Sequence, residues 1–370
     1  MKKTLILAAV SATFASASYA QSSVTLYGVV DAGFTYTSNI QGEKQFALTS
    51  GNTHDSIWGL RGTENLGGGL KAVFNLESAF NVANGSLNGA MFNRQSYVGL
   101  SHQDYGTVTL GRQFDSVVDY VGPLTAVGTW GGAYTAHLLD NDNGNATFSI
   151  NNAVKYRSPN ISGLEFGGLY GFSNQAGGFA NNRAYSFGAS YKQQGLHIGA
   201  GWLQAQGMDF NGNGAVSGSP LAVAGLNHRQ RVWGAGASYT FGPAVAGVVF
   251  TQSRVNDVGN NSLRLNNIEG NVHYDLTPSL GLGAMYTYTN ANASASVLNA
   301  NGSQSAHWHQ FALQADYALS KRTDVYLEGV GIWGSGENAV GVTQVGVTST
   351  GGVSSSKNQG VITTGIRHRF

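Results

Sequence analysis

Through most of this chain apolar and polar residues alternate one for one, in runs of about ten. In LKAVFNLESAF (residues 70–80) Leu70, Ala72, Phe74, Leu76 and Phe80 share one face, while Lys71, Asn75 and Glu77 share the other. In HQFALQADYAL (residues 309–319) Phe311, Leu313, Ala315, Tyr317 and Leu319 stand opposite Gln310, Gln314 and Asp316. A period of two belongs to a strand with unlike surroundings on its two faces. Such runs begin near Val24, Ser56, Leu70, Phe92, Thr107, Phe148, Leu164, Arg183, Leu196, Arg229, Ala244, Leu265, Leu280, Trp308, Val325 and Gln359, which makes sixteen. Tight links at 193–195, 241–243, 277–279 and 320–323 alternate with long ones rich in Asn, Gly and Ser, and seven short with eight long connections join sixteen strands. Short turns on one rim and long loops on the other are the pattern of a transmembrane barrel.

Composition says which solvent the apolar face meets. Only 11% of residues are charged, against about 25% in a soluble domain. No stretch after Ala20 reaches the roughly 18 apolar residues of a membrane helix, so a membrane is crossed only by a closed barrel whose backbone groups satisfy one another. Tyr36, Trp58, Tyr97, Tyr170, Tyr191, Trp202, Trp233, Tyr239, Tyr286 and Trp333 fall near strand ends and are expected to form aromatic girdles. A β-sandwich is the alternative, but its strands would not keep polar residues alternating through every run. The fold class expected is all-β, a 16-stranded antiparallel transmembrane β-barrel.

At the N-terminus Lys2 and Lys3 precede an apolar stretch, and Ser18, Tyr19 and Ala20 precede Gln21. This is the form of a secretory signal, so residues 1–20 are expected to be cleaved and residues 21–370 to make one barrel domain. Removing Lys2 and Lys3 from the 20 basic residues leaves 18 against 19 acidic ones, which gives no electrostatic footprint for nucleic acid. Cysteine is absent, which removes disulfides, thiolate nucleophiles and cysteine metal sites. His307 and His309 share a strand face but have no carboxylate or Cys beside them, so no metal is expected and interfacial placement beside Trp308 is preferred. No nucleophile elbow, zinc-protease or phosphate-loop motif occurs, and neither an enzyme nor a cofactor is expected. The last run places Ile362, Ile366 and the terminal Phe370 on one face.

VTLYGVVDAGF (24–34), WGLRGTENLGGGLKAVFNLE (58–77), FNRQSYVGL (92–100), YGTVTLGRQFD (105–115) and the closing RHRF resemble the Gram-negative general diffusion porins, nearest their beta-proteobacterial subgroup. The resemblance covers the chain after residue 20 in order. It implies a homotrimer of 16-stranded barrels in the outer membrane, in contact with its lipid and lipopolysaccharide and delivered by the barrel assembly machinery, with Phe370 as part of the assembly signal. It also implies that the third external loop folds into the lumen. Here that loop is the stretch 115–147, the longest break in the strand pattern, which carries Asp115, Asp119, Asp140 and Asp142 and no Lys or Arg.

The basic wall facing this loop is expected from Arg94, Lys155, Arg61, Arg112 and Arg157, with Lys71 a further candidate on lumen parity. Arg112 sits on the parity of Val108 and Leu110, so it reaches the lumen only if a bulge rotates it. Cations opposite anions across a wet gap sort small hydrophilic solutes and ions by size and charge. The family often carries Arg where this chain has Ile57, which weakens the expected anion preference. A substrate-specific porin for a sugar or small organic anion is an alternative reading; it calls for aromatics on lumen parity, with Tyr27, Tyr120, Trp130, Tyr134 and Tyr326 available. A surface adhesin or structural barrel is the other.

Overall fold

A computed structural model describes residues 22–207, 214–216, 229–256, 262–294, 304–336 and 345–370. The expected signal at 1–20 lies outside these residues, as do parts of two of the long connections rich in Asn, Gly and Ser, at 290–305 and 334–356. In chain order the strands are β1 (Ser23–Ile40), β2 (Glu43–Ser50), β3 (Ile57–Gly67), β4 (Leu70–Ala79), β5 (Gln95–His102), β6 (Gly106–Gln113), β7 (Ile150–Arg157), β8 (Leu164–Gly171), β9 (Arg183–Gln193), β10 (Leu196–Gln206), β11 (Arg229–Phe241), β12 (Ala244–Asn256), β13 (Ser262–Thr277), β14 (Leu280–Ala293), β15 (Gln304–Ala318), β16 (Thr323–Gly336) and β17 (Asn358–Arg369). One short helix, α1 (Ser116–Tyr120), lies between β6 and β7. No helix among the described residues is long and apolar enough to cross a membrane.

Neighbours in sequence pair antiparallel, and β17 returns to β1 with Val29 opposite Arg369 and Thr37 opposite Val361, which closes the sheet. The other edge of β1 is shared: its upper part pairs with β2 (Ala32 opposite Ser50) and its lower part with β3 (Val29 opposite Ile57). Thus β2 and β3 are two lengths of one barrel strand, interrupted at residues 51–56, and the seventeen segments form a closed barrel of sixteen strands. Closure leaves no edge of unpaired backbone groups, which a lipid environment would not tolerate. Phe370 extends the seam by exchanging backbone hydrogen bonds with Gly28, at 3.0 and 3.1 Å.

The first long connection expected between β1 and the Ser56 run is instead a hairpin. Gln41 and Gly42 both have positive φ, 54° and 107°, which suits a two-residue turn that follows strand twist. The polar character of residues 41–45 hid the strand on its far side.

Parity holds around the barrel. Val98, Leu100, Val108, Leu110, Phe311, Leu313, Ile362 and Ile366 are exposed on the outer face, whereas Asn75, Glu77, Thr109, Gln113, Gln310 and Gln314 are buried on the inner one. Two expectations change. Tyr97 lies opposite Asn75 on inner parity and is not part of a girdle, whereas His307 and His309 join Tyr286 and Tyr288 in an outer aromatic cluster while Trp308 turns inward and is buried. The inner face is also not uniformly polar. Leu263, Leu265, Met285, Trp308, Val330 and Ile332 form a core there with Val345 and Val347 and with Trp130, Tyr134 and Leu138 from the long β6–β7 connection.

Candidate functional site

The connection between β6 and β7 has its own architecture. Asp115 caps α1 by accepting from the backbone N–H groups of Val117 (2.7 Å) and Val118 (3.4 Å), and its other oxygen accepts from Asn143 Nδ2 at 2.7 Å. α1 rests on glycines of β9 and β10. A Cβ on Gly199 would lie 2.0 Å from the Tyr120 carbonyl oxygen, and one on Gly201 would lie 2.8 Å from that of Ser116. Bare backbone at these inner positions is what lets the helix lie flat on the wall.

Beyond α1 the segment is fastened to inner side chains of one strand after another. Asn271 Nδ2 donates to the Leu124 carbonyl (2.9 Å), Gln230 Nε2 to that of Asn141 (2.9 Å) and Gln310 Nε2 to that of Tyr134 (3.0 Å). Ala126 N–H donates to Glu269 Oε1 at 2.7 Å. His137 is the centre of the arrangement, with Nδ1 2.6 Å from Asp142 Oδ2 and Nε2 2.9 Å from Glu269 Oε2, while Thr251 Oγ1 donates to the same Asp142 oxygen at 2.5 Å. Burial alone would lower the His137 pKa, but the two carboxylates outweigh it and hold the imidazolium form well above the ordinary value. Burial likewise opposes ionisation of Asp142, and His137 overrides it, so that carboxyl sits below its usual range.

The four acids of the segment therefore differ. Asp115, Asp140 and Asp142 are buried and hold the segment's own turns; Asp140 accepts from Asn145 N–H (2.9 Å) and Thr147 Oγ1 (2.5 Å). Burial pushes the carboxyls of Asp115 and Asp140 up to about 6. Asp119 alone keeps an accessible carboxylate, and it pairs with Lys155 on β7, whose Nζ also donates to the Phe114 carbonyl at 2.9 Å.

The wall cations also part company. Arg94 is engaged by two carboxylates, Asp55 and Glu77, the latter at 2.8 Å from Nε, and its guanidinium lies 5.2 Å from the Phe114 ring centre. Arg157 is largely exposed and pairs with Glu165 across the turn to β8 at 2.5 Å. Arg61 lies over the Tyr27 ring at 5.0 Å, and Lys71 is exposed on the same inner parity. Arg112 is not brought to the acidic segment. A register shift does follow Gly111, but Arg112 stays on the side of Val108 and Leu110, donating to the Asn93 carbonyl (2.7 Å) and to Asn151. Ile57 fills a small apolar cluster with Val29 and Ala79.

Asp55, His137 and Glu269 are the site residues that sequence reading passes over. Asp55 lies in a segment with no strand pattern, and His137 and Glu269 are far apart in sequence. Glu77 was legible only as a polar inner residue. Of the five aromatics available for a sugar slide, Tyr120, Trp130, Tyr134 and Tyr326 are buried. Tyr326 Oη donates to Asp31 at 2.6 Å and accepts from Asn52 Nδ2 at 3.0 Å, while Tyr134 Oη donates to Asn52 Oδ1 at 3.1 Å and Ala133 N–H to the Asn52 carbonyl at 3.0 Å, so Asn52 ties the segment 132–134 to the wall. Between Asp55, Arg94 and Phe114 on one side and Val118, Pro123 and Thr129 on the other lies a cavity of about 220 Å³. Among the described residues no cluster suited to a metal ion occurs.

Comparison with known proteins gives a consistent picture. The Gram-negative porin family profile matches residues 7–331. The chain is 35% identical over 269 residues to an outer membrane porin of Bordetella pertussis, covering 65% of this chain and 66% of that protein. It is 31% identical to outer membrane porin protein 32 of Delftia acidovorans, over the full length of both. Among solved structures the anion-selective porin from Comamonas acidovorans superimposes with a TM-score of 0.76 at 25% identity, covering 95% of this chain and all of that one.

Proposed function

This chain belongs to the Gram-negative porin family and is a passive diffusion channel of the bacterial outer membrane, and we propose that residues 115–147 constrict its lumen opposite Arg94 and Lys155. The observation that carries the constriction is the set of hydrogen bonds from this segment to inner side chains of β11, β12, β13 and β15. A segment fastened to that many inner faces of a closed sheet stands in the path of any solute. Sixteen strands leave a water-filled lumen, so size exclusion at the narrowing and the field between its charges set what passes.

The charges are few. Arg94 and Lys155 meet three carboxylates, Asp55, Glu77 and Asp119, which leaves that group one negative charge from neutral, and Arg61 and Lys71 on the same inner wall bring the sum to one positive charge, so the ion preference is weak and leans to anions. The anion selectivity named for the Comamonas protein supports that lean, and Ile57 keeps it small. The protein acts without catalysis or a cofactor. Residues 1–20 serve as a cleaved signal, and the mature barrel assembles as a homotrimer in lipid and lipopolysaccharide, with Phe370 read by the assembly machinery. Small outward residues such as Ala200, Ala235 and Ala237 allow barrels to approach one another.

Recording in planar bilayers under a salt gradient tests the channel and its narrowing together. The wild type is expected to open in discrete steps with a small reversal potential. Arg94→Ala, which leaves Asp55 and Glu77 without their cation, moves that potential towards cations, and Ile57→Arg moves it towards anions. Both shifts shrink in high salt, because the screening length falls to about 3 Å at 1 M. A wild type that never conducts overturns the channel, and unaltered potentials in both variants overturn the constriction.

A further inference from the structure

Below the level of Arg94, the inner faces of β1, β3, β4 and β5 form an open cavity of about 440 Å³ lined by Thr25, Tyr27, Arg61, Thr63, Gln95 and Tyr97. That is within the range of small-molecule sites, roughly 300–1,000 Å³. Tyr27 is its fixed floor. The ring lies against Gly59, where a Cβ would come within 2.7 Å of Tyr27 Cζ, and its hydroxyl meets Asn75 Oδ1 and Glu77 Oε2, each at 2.8 Å. Arg61 stacks on this floor with its guanidinium carbon 5.0 Å from the ring centre. The ring holds Arg61 at this wall, and among the described residues its guanidinium N–H groups make no hydrogen bond or ion pair.

The charge state of the neighbours decides what such a site accepts. Glu77 takes a hydrogen bond from Tyr27 and pairs with Arg94 at 2.8 Å rather than with Arg61. Among the described residues Arg61 makes no ion pair, whereas Arg94, Lys155 and Arg157 all do. A guanidinium presented edge-on takes a carboxylate through two parallel hydrogen bonds. A single guanidinium suits a monoanion better than a phosphate dianion, and the ring of Tyr97, on the same inner parity, offers an apolar face to a flat ligand.

Building on the channel function proposed above, we infer that this cavity is a binding site for small aromatic monocarboxylates, with Arg61, held over Tyr27, taking the carboxylate and the Tyr97 ring receiving the ligand's ring. Solutes of this class pause there during passage, which for them turns linear diffusion into saturable transport.

Benzoate is the probe. Added to wild-type trimers in planar bilayers in potassium chloride, it is expected to reduce chloride current along a saturating curve, with acetate and inorganic phosphate each at least about tenfold weaker. Arg61→Gln is expected to weaken the benzoate block about tenfold, measured relative to that variant's own chloride current, as loss of a charged two-point hydrogen bond implies. Arg61→Lys keeps the charge without the fork and recovers only part, and Tyr97→Leu brings benzoate down towards acetate. Folding of each variant is checked by its heat-sensitive trimer band. A block that does not saturate, acetate or phosphate equal to benzoate, or Arg61 variants that block like wild type overturns the site. None of these results touches the channel itself, which the wild-type chloride steps report independently.

Discussion

Against β9–β13 the segment between β6 and β7 is held by groups shut away from water, while against β4–β7 it is met by charges that water still reaches. On the first side lie the glycine seat of α1 and the His137 imidazolium between Asp142 and Glu269, all buried. On the second lie Lys155 with Asp119 and Arg94 with Asp55 and Glu77, each pair partly accessible. Under the proposed constriction one stretch of chain anchors and filters at once, because burial makes an ion pair costly to break while exposure lets it act on passing ions.

The anchored side should yield the largest effects. His137→Leu leaves two buried carboxylates without their cation, a loss of about 3–5 kcal/mol, read as a lower unfolding temperature of the trimer and noisy, enlarged conductance steps. A variant as stable and as quiet as wild type would mean that the anchor lies elsewhere. Gly199→Leu should follow. Its side chain takes the space of the Tyr120 carbonyl, overpacking costs about 1–3 kcal/mol, and eviction of α1 widens the channel, measurable as larger single-channel conductance and faster uptake of bulky sugars by trimer-containing liposomes.

The wet side gives smaller, purely electrostatic changes. Asp119→Asn should move the reversal potential towards anions without altering stability, whereas Asp140→Asn should leave the potential alone and loosen the turn at 140–147. Equal shifts from both would erase the distinction between them. Arg157→Ala, which breaks an exposed pair, should cost no more than about 1 kcal/mol and barely change permeation.

Titration sharpens the same contrast. An unfolded histidine titrates near 6.5, and His137 in place sits well above that, so its contribution is complete below about 6.5 and is lost as pH rises through the folded value. Asp142, held low, keeps its share until pH falls through its own depressed value. Asp115 and Asp140 run the other way, since ionising them above about 6 weakens the fold around them. Protection factors for amide exchange across 115–147, corrected for the intrinsic base-catalysed rate at each pH, should be highest in mildly acidic solution and fall at alkaline pH. In His137→Leu the alkaline fall in protection should vanish.

Much of the barrel was legible in the chain. Alternation of Leu70, Ala72 and Phe74 with Lys71 and Asn75 states which face meets lipid whatever the neighbours are, because a strand presents its two faces in strict turn. The seven tight turns and the terminal aromatic face follow from equally local chemistry. Local pattern failed where a side chain served a distant partner. Tyr97 and Trp308 look like girdle residues but face inward, towards the wall around Asn75 in one case and the buried core of Leu263 and Ile332 in the other. The β2 strand was masked by the polar residues 41–45 at its start and shortened by the break at 51–56, where the chain leaves the sheet.

Sequence by itself determined the period, the number of barrel strands, the outer solvent and the stock of charges. Only the tertiary structure decided which charges remain available. Asp115, Asp140 and Asp142 read as a row of pore anions, yet capping and burial assign them to the segment's own backbone. Asp55 and Glu77, from a strand break and a strand interior, occupy Arg94 instead and leave Arg61 without an ion pair among the described residues. Charge counts are additive along a chain, but the field in a lumen depends on which opposite charges come within a few ångströms of each other and how much water stays between them, and closing the barrel is what fixes both.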